Sequence, residues 1–393
     1  QLQNPSPETS PKSNEIKTNE IKTKKMLKNK RWTEKIENNK IKIKCKHCNS
    51  NKIIRKGLRK NKLQNIQKYK CKSCNKYFTL SNSKNTTYPV SLIVRAISLY
   101  NLGYSLKEVS EKISNEHFVK ENLKNNINIS TVSSWLKKYK GLTTYNKLRE
   151  QAKKLYTPKN IIFAKTLQHK QVYLFKYHKA KLKILPSLNK ALQKNVLEKL
   201  VSYLEKIPTS KFPHHIFNKK IKKNYTDKAE VVQQKRIEQR ASNLKFEILS
   251  FIRLEKNNYA NKLAGLALQT VKNNYERHQI IQNFMLTNDT STVAIEVPVY
   301  LTNDDIKYFL NKNFRLNLEN YQTPITGHID ILQIRNNLIH ILDYKPEASK
   351  INPINQLTIY ALALASRLQI PVKQFKVAWF DENNYFEFFP LHA

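Results

Sequence analysis

The only cysteines of this 393-residue chain form two pairs with the spacing Cys-x2-Cys, Cys45 with Cys48 and Cys71 with Cys74. Two thiolates three residues apart fit on one tight turn, and a second such turn completes the tetrahedral sulfur shell that Zn²⁺ prefers. Four thiolates fill that shell, so His47 is not needed as a ligand. Two disulfides are the alternative, but disulfides are typical of secreted chains, and the polar N-terminal residues do not resemble a secretory signal. The spacing therefore predicts a structural zinc site.

Strand-like runs at 52–56 and 67–70 lie between the two cysteine pairs, as a zinc ribbon requires, and we expect the ribbon to span residues 41–82. Basic side chains crowd the same loop, which makes them candidates for contacts with DNA phosphates. The candidate DNA-binding residues of the ribbon are Arg55, Lys56, Arg59 and Lys60.

The chain carries 71 Lys and Arg residues against 29 Asp and Glu residues, a formal net charge of +42. Residues 291–393 contain nine basic and ten acidic residues, which leaves +43 for residues 1–290. The usual partner of so positive a protein is nucleic acid. We therefore expect a cytoplasmic protein, nucleoid-associated in a prokaryote, that binds DNA. No stretch approaches the roughly 18 uncharged apolar residues of a membrane span, so no membrane partner is expected.

Residues 88–140 follow a helical pattern with capping signals. Apolar residues recur at helical spacing over residues 90–102, and a glycine ends that run. Ser105 and Glu108 form the capping box of a second helix. A third helix is expected to begin at Ser130. This order predicts a helix-turn-helix, with a plain helical bundle as the alternative.

The third helix is the candidate recognition helix. Its N-terminal polar side chains would lie near base edges, and the lysines that follow would meet phosphate groups. The candidate DNA-binding residues of this helix are Ser130, Thr131, Ser133, Ser134, Lys137 and Lys138.

Residues 41–140 together resemble the N-terminal module of insertion-sequence transposases. The resemblance rests on the segments CKHC, CKSC, LYNLGYSLKEVSEKI and ISTVSSWLKKY. It implies a DNA partner and an origin in a mobile genetic element. Those transposases continue with an Asp-Asp-Glu catalytic domain. Here Asp227 and Asp289 are the only aspartates between residues 141 and 290, which argues against that chemistry.

Two aspartates near the C-terminus stand on predicted strands that a short turn joins. The strands are expected over Gly327–Ile334, which contains Asp330, and Leu338–Asp343. Asp343 and Lys345 are two residues apart and so share one face of the chain. An antiparallel hairpin brings the two carboxylates together, where they repel each other unless a cation such as Mg²⁺ or Mn²⁺ lies between them.

The neighbouring segments complete a mixed α/β core. A strand over Val293–Leu301 carries Glu296. A helix over Asn352–Leu368 places Gln356 and Tyr360 four residues apart on one face. Two more strands are expected over Val372–Phe380 and Tyr385–Phe389.

Residues 255–393 resemble the RecB-like group of PD-(D/E)XK nucleases. The pattern of that group is a Glu-bearing strand, Gly-x-x-Asp, Asp-x-Lys and Gln-x-x-x-Tyr, in this order. The matching residues are Glu296, Gly327 to Asp330, Asp343 to Lys345, and Gln356 to Tyr360. The resemblance implies a restriction-endonuclease-like core that hydrolyses phosphodiester bonds.

The resemblance also implies roles for individual residues. Asp330 and Asp343 would bind Mg²⁺ or Mn²⁺, with the Tyr344 carbonyl as a third ligand. Lys345 would orient or activate the attacking water, and the glutamine and tyrosine of the last motif would position DNA or the metal site. His278 is the candidate for the metal-binding histidine that the group often carries on its first helix. Some relatives hold an iron–sulfur cluster, which is excluded here because the chain has no further cysteine.

Residues 141–254 are basic and mostly helical in pattern. One alternating run, Gln171–Ile184, predicts a strand or a hairpin. Four histidines of this region lack carboxylates at matching spacing, so surface or core positions are expected for them rather than a metal site. They are His169, His178, His214 and His215.

The expected chain is a multidomain α+β protein: a disordered basic arm at 1–40, a zinc ribbon at 41–82, a helix-turn-helix at 88–140, a middle region at 141–254 and a nuclease core at 255–393. We expect an enzyme, a metal-dependent deoxyribonuclease that its N-terminal modules target to DNA. A non-enzymatic DNA-binding regulator with an inactive nuclease fold is the alternative.

Overall fold

The architecture comes from a computed structural model of the chain. It describes residues 43–60, 63, 65–79, 87–122, 126–188, 194–218, 240–244, 254–255, 258–271, 273–314 and 323–392. The chain divides into two compact units. Residues 1–60 and 65–80 form the cysteine unit, and residues 61–64 and 81–393 form the main unit. The expected arm at 1–40 lies outside the described residues.

The cysteine unit contains a three-stranded antiparallel sheet in the order β1-β2-β3. Its strands are β1 (Ile53–Lys60), β2 (Asn65–Cys71) and β3 (Tyr77–Thr79). Strand β1 continues past its predicted end because Gly57, with a φ of 70°, permits a bulge in the pairing with β2. The rings of Tyr69 and Phe78 stack with centroids 5.6 Å apart and form part of the small apolar core.

The main unit contains the remaining helices and strands. Its helices are α1 (Val90–Asn101), α2 (Leu106–Ser114), α3 (His117–Asn122), α4 (Ile129–Tyr139), α5 (Asn146–Leu155), α6 (Lys179–Leu188), α7 (Lys194–Lys206), α8 (Tyr259–Ala267), α9 (Arg277–Asn288), α10 (Asn303–Asn311) and α11 (Ile354–Leu368). Its strands are β4 (Ile162–His169), β5 (Gln171–His178), β6 (Leu254–Glu255), β7 (Thr292–Leu301), β8 (Ile325–Arg335), β9 (Leu338–Tyr344), β10 (Phe375–Phe380) and β11 (Tyr385–Phe388).

One eight-stranded sheet organises the main unit, with the strand order β4-β5-β7-β8-β9-β10-β11-β6. Neighbouring strands are antiparallel except for β9 and β10. Those two strands are parallel because α11 lies between them in the chain and provides the crossover that a parallel pair needs. The expectation of a mixed α+β architecture is confirmed.

Apolar side chains of the sheet pack on both of its faces. In β9, Ile341 lies in the apolar cluster that contains most of α11, including Leu357. The next residue, Leu342, lies in a second cluster with residues of α1, α8 and α9, such as Val94 and Met285. The central strands are therefore covered on both sides, as their nearly continuous burial requires.

The helices at 88–140 agree with the sequence in part. Ser105 and Glu108 form the expected capping box at the start of α2. Helix α4 begins at Ile129 rather than Ser130, because the side chain of Asn128 caps it by accepting a hydrogen bond from the Ser130 amide at 3.0 Å. The additional short helix α3 lies between α2 and α4 and was not expected.

Helix α1 is joined to the sheet through α9. The fully buried Asn288, at the end of α9, accepts a hydrogen bond from Asn101 Nδ2 at 2.8 Å and donates one to Ser98 Oγ at 3.0 Å. Apolar residues of α1, including Val90 and Val94, share a cluster with α9. The N-terminal helices and the large sheet therefore belong to one packed unit.

The middle region contributes two strands to the same sheet. Strands β4 and β5 form a hairpin, and β5 pairs with β7 at Lys176 and Tyr177. The strand or hairpin that was expected over Gln171–Ile184 is a strand that ends at His178, and α6 begins at the next residue. The Phe175 ring of β5 is fully buried in the core beneath α11.

A fragment of residues 255–393 should not fold by itself, although the sequence predicts a separate domain over this range. It lacks β4 and β5, so the edge of β7 would be free and the core would lose buried residues such as Phe175 and Tyr177. A fragment of residues 87–393 retains all the described helices and strands of the main unit and is the control. We expect cooperative thermal unfolding, followed by circular dichroism, only for the longer fragment. Similar cooperative transitions in both fragments would contradict the shared sheet.

Candidate active site and metal centre

Three neighbouring strands bring the predicted carboxylates together. Glu296 lies in β7 and Asp330 in the neighbouring β8. The residues on either side of Glu296 pair with the residues on either side of Asp330. The next residues beyond the Ile331–Leu342 pair of β8 and β9 are Asp330 and Asp343. The geometry of the sheet alone thus places three acidic side chains in a row across its centre.

Asp330 and Asp343 are in direct contact and share a hydrogen bond. Asp343 is buried, and burial together with the neighbouring Asp330 raises its pKa to about 8. Burial also disfavours the charged form of Asp330, but hydrogen bonds from His278 and Asp343 lower its pKa below the usual value. One of the two carboxyls is therefore ionised and the other holds a proton near neutral pH.

Two basic side chains contact this pair. Lys345 Nζ lies 2.8 Å from Asp343 Oδ2, as expected for residues two apart on one face. His278 Nδ1, on α9, lies 3.2 Å from Asp330 Oδ2. Burial would lower the pKa of His278, but Asp330 raises it above the ordinary value, which favours an imidazolium. The candidate histidine of the sequence thus contacts Asp330 from α9, which follows α8 in residues 255–393.

Glu296 occupies a special backbone position within β7. Its φ of 53° is left-handed, a conformation that a residue other than glycine rarely adopts and that often marks a functional site. Gln282 of α9 donates a hydrogen bond to Glu296 Oε1 at 2.7 Å. Burial, followed by the charge of Asp330, raises the pKa of Glu296 to about 8. The sequence did not indicate Gln282, because a lone glutamine on a helix carries no signal.

The residues of the Gln-x-x-x-Tyr motif lie beside the carboxylates. Gln356 Nε2 donates to Tyr360 Oη at 3.0 Å, and the backbone N–H of His328 donates to the same oxygen. Burial, followed by the nearby Asp343, raises the pKa of Tyr360. A Cβ atom on Gly327 would lie 2.2 Å from Cε1 of Tyr360, so only glycine fits beneath this ring. The glycine of the Gly-x-x-Asp motif therefore has a packing role.

The acidic cluster offers the hard oxygen ligands that Mg²⁺ or Mn²⁺ prefers. Asp330 and Asp343 fit such a cation, because a half-buried and a buried carboxyl in contact would be stabilised by a positive charge between them. Tyr344, the candidate third ligand, ends β9 with its ring against His278 at a centroid distance of 5.1 Å. His278 and Lys345 supply positive charge beside the two aspartates, as a bound metal ion would.

The four cysteines form the other candidate metal centre, and their sulfur atoms all lie within 4.8 Å of one another. The Sγ atoms of Cys45 and Cys74 are 3.6 Å apart, and those of Cys48 and Cys71 are 3.5 Å apart. A tetrahedron of sulfurs at about 2.3 Å from zinc has edges of about 3.8 Å, so the cluster fits such an ion. Among the described residues it is the one group of three or more Cys, His, Asp or Glu side chains with such close ligand atoms.

The thiols of this cluster differ in acidity. Backbone N–H groups of Cys74 and Ser73 lower the pKa of Cys71 to about 6. A backbone hydrogen bond from Ser50 lowers the pKa of Cys48, but burial and the other thiols raise it to about 12. Cys71 thus ionises first, and a metal ion would be needed to hold all four groups as thiolates.

The candidate DNA-binding residues lie on two separate elements. Arg55, Lys56 and Arg59 are exposed on β1, which ends at Lys60. On α4 the exposed positions are Ser130, Ser134, Lys137 and Lys138, whereas Thr131 and Ser133 are half-buried. Val132 and Trp135 of α4 face the core between α1 and α2. The polar face of α4 is therefore accessible.

Three histidines form a hydrogen-bonded chain beside the carboxylates. His169 Nδ1 lies 2.8 Å from His328 Nε2, and His169 Nε2 lies 2.9 Å from His214 Nδ1. His169 is buried, one of the two kinds of position expected for it, but its link to His214 and His328 was not anticipated. No sequence signal connects residues that lie 45 and 159 positions apart. Of the other two histidines, His178 is fully buried and His215 is exposed.

Comparison of the chain with protein-family models, with curated proteins and with solved structures produced no match in any of the three cases. Among the helices that the structure describes, none has both the length and the apolar character needed to cross a membrane. Arguments about function therefore rest on the geometry of the two candidate centres.

The cysteine cluster should bind one zinc ion per chain. We expect the substitution Cys71→Ser to abolish stoichiometric zinc, because three thiolates leave the tetrahedral shell incomplete. Ser73→Ala is the control, since it keeps the backbone N–H that contacts Cys71. Metal content is measured by mass spectrometry of the purified proteins. Full zinc occupancy in the serine variant, or none in the wild type, would contradict the assignment.

Because of the acidic cluster, a divalent metal ion should raise the Tm of the chain more at higher pH. Asp343 and Glu296 hold protons up to a pH of about 8 in the folded chain, whereas unfolded carboxyls ionise near pH 4, roughly. Raising the pH through this window therefore favours the unfolded chain, and a bound cation opposes that loss by stabilising the carboxylates. We expect added Mn²⁺ to raise Tm more at about pH 8 than at about pH 6.

The double variant Asp330→Asn, Asp343→Asn is the control for this measurement, because it keeps the size of both side chains and removes their charge. The additional stabilisation at the higher pH should disappear in it. An equal rise of Tm at both pH values in the wild type would show that these carboxyls do not bind the metal.

Proposed function

We propose that this chain is a DNA-binding nuclease, of the kind carried by mobile genetic elements, that hydrolyses phosphodiester bonds with a divalent metal ion. The observation that carries the proposal is the convergence of Glu296, Asp330, Asp343 and Lys345 at the centre of one sheet. These residues match, in order and spacing, the motif of the RecB-like PD-(D/E)XK nucleases. Buried carboxylates with perturbed pKa values beside a lysine are typical of catalytic sites.

In the proposed reaction Asp330 and Asp343 would hold the metal ion, with the Tyr344 carbonyl as a further ligand. The bound ion would polarise the phosphate and make a nearby water molecule more acidic. Lys345 orients that water and stabilises the negative charge that develops on the phosphate. Glu296, which holds a proton near neutral pH, is positioned to exchange protons or to add a ligand once ionised.

The neighbouring residues keep this site in shape. Gln282 fixes Glu296 through its amide, and Gln356 fixes the hydroxyl of Tyr360 beside Asp343. His278 contacts Asp330, and a metal ion that bound Asp330 in its place would leave the imidazole free to bind the ion or the phosphate. These contacts support a site that is organised before DNA arrives.

The N-terminal elements would supply the affinity for DNA. The cysteine cluster, with structural zinc, would hold the exposed basic residues of β1 as a ribbon, and α4 would act as the recognition helix of a helix-turn-helix. The cationic excess of residues 1–290 supports this division of labour. Binding by these elements and cleavage at the acidic cluster are separable in experiment.

Removal of either central side chain should abolish cleavage and preserve binding. We expect Asp343→Ala and Lys345→Ala to lower Mg²⁺-dependent nicking of plasmid DNA by about a thousand-fold or more, since each removes charge stabilisation from the transition state. DNA affinity, measured by fluorescence anisotropy, should change by less than about three-fold. Asp304→Ala, which removes an exposed carboxylate at the start of α10, is the matched control.

Two outcomes separate the nuclease from a DNA-binding regulator with an inactive nuclease fold. Wild-type rates in both Asp343→Ala and Lys345→Ala would refute the proposed site. Tight DNA binding by the wild type, without cleavage of single-stranded, duplex or branched DNA in either Mg²⁺ or Mn²⁺, would favour the regulator.

A further inference from the structure

An arginine from outside the nuclease motif is attached to β8, the strand that carries Asp330. Arg240 follows the middle region, and its backbone pairs with Thr326 at the start of β8. Its Nη2 donates a hydrogen bond to the hydroxyl of Tyr173, in β5, at 2.5 Å. The motif resemblance covers residues 255–393 and so assigns no role to either residue.

Tyr173 is fixed in place by its ring. The ring stacks on that of His328 with centroids 3.6 Å apart and an angle of 6° between the planes. His328 is itself held by the hydrogen bond between its Nε2 and His169 Nδ1, and His169 stacks on Phe217 at 4.1 Å. The hydroxyl that anchors Arg240 therefore belongs to a rigid aromatic wall.

This wall lies next to the carboxylates. His328 is two residues before Asp330 in β8, and its backbone N–H donates to the hydroxyl of Tyr360 beside Asp343. The phenol of Tyr173 responds to the same charges: burial raises its pKa, Arg240 lowers it, and Glu296 and Asp330 raise it further. Arg240 is thus joined, through Tyr173 and His328, to the strand that carries Asp330.

Arg240 differs from the other cations of the site in having no acidic partner. Lys345 and His278 are each paired with an aspartate. Among the described residues no carboxylate forms an ion pair with Arg240, and Tyr173 is the one hydrogen-bond acceptor for its side chain. An arginine guanidinium has five N–H donors in a planar fork, so several remain for a ligand.

DNA that approaches the acidic cluster needs such a cation. Once a metal ion displaced the protons of Asp343 and Glu296, these carboxylates and Asp330 would repel a phosphodiester, and the ion and Lys345 would be engaged at the bond that is cut. A guanidinium that is held by a neutral phenol keeps its full charge, and its fork matches the oxygen atoms of a phosphate group. A neutral anchor therefore suits an arginine that must bind an anion.

We propose that Arg240 binds a backbone phosphate of the DNA next to the one that is cut, and that Tyr173 is its positioning residue. The inference rests on the proposed function, because it assumes that DNA reaches the acidic cluster. It adds to that function a substrate contact from the middle region, which the nuclease motif does not contain.

The test is steady-state cleavage of DNA by the full-length chain in Mg²⁺ over a series of salt concentrations. We expect R240A to raise KM by about ten-fold or more, with a smaller change in kcat, because a phosphate contact contributes to binding. The slope of log(kcat/KM) against log[salt] should become shallower by about one. R240K should restore part of the affinity, since it returns the charge without the planar fork.

Two further variants separate binding from structure. Y173F keeps the stacked ring and removes the hydroxyl that holds Arg240, so its KM should rise by less than that of R240A. K373A removes one exposed positive charge from the turn at Val372–Gln374 and should leave KM and the salt slope unchanged. A thermal unfolding curve for each variant shows that the fold is intact.

The outcomes distinguish this inference from the proposed function. If the wild type cleaves DNA and R240A retains its KM and salt slope, the phosphate contact is wrong and the nuclease stands. If the wild type does not cleave, the affinity for a short DNA duplex is measured without metal. An affinity about ten-fold weaker in R240A would then support the contact, and an unchanged affinity would overturn it.

Discussion

The contact between the carboxyl groups of Asp330 and Asp343 is the constraint on which the rest of the site depends. Two ionised carboxylates this close in a buried place would repel each other strongly, so one must hold a proton or a cation must lie nearby. The strands β8 and β9 cannot avoid the contact, because their pairing brings the two positions opposite each other. Lys345 and His278 provide positive charge next to the pair, and the raised pKa of Asp343 means that this carboxyl holds a proton near neutral pH. A site that must be neutralised in this way is also a site that a divalent cation would stabilise.

Helix α9 links this site to the N-terminal helices. Its first half carries His278 and Gln282, which contact Asp330 and Glu296. Its last residue, Asn288, is hydrogen-bonded to α1, and its apolar side chains pack with those of the same helix. A shift of α1 could not leave α9 unaffected, since Asn288 is fully buried and has polar partners that would lose their hydrogen bonds. The N-terminal helices thus have a direct mechanical connection to the carboxylates.

Local features could be predicted from the sequence because their cause is local. The cysteine spacing, the Ser105–Glu108 capping box and the hairpin turn at Asn336 and Asn337, whose φ angles are 52° and 60°, each depend on residues a few positions apart. Features that depend on distant contacts could not be predicted. Neither the pairing of β5 with β7 nor the hydrogen bond between His169 and His328 leaves a periodic trace, because folding alone brings these residues together. For the same reason the end of β5 at His178 was missed: the residues after it keep an alternating pattern, but the core that covers α6 decides their conformation.

The net charge of the chain does not show how many of its basic residues are available for binding. Some of the basic residues before position 291 do not face solvent: Lys181 is fully buried and donates to the carbonyl oxygens of Leu286 and Thr292, at the C-terminal end of α9 and the start of β7. Burial lowers its pKa to about 7, so it need not carry a charge at all. The buried Arg149 similarly donates to carbonyl oxygens around the turn between α1 and α2. These side chains satisfy backbone groups that water cannot reach, which is a requirement of the fold. The cations that matter for binding are instead those whose donors stay free beside an accessible surface, and their position in the fold identifies them where a count of charges does not.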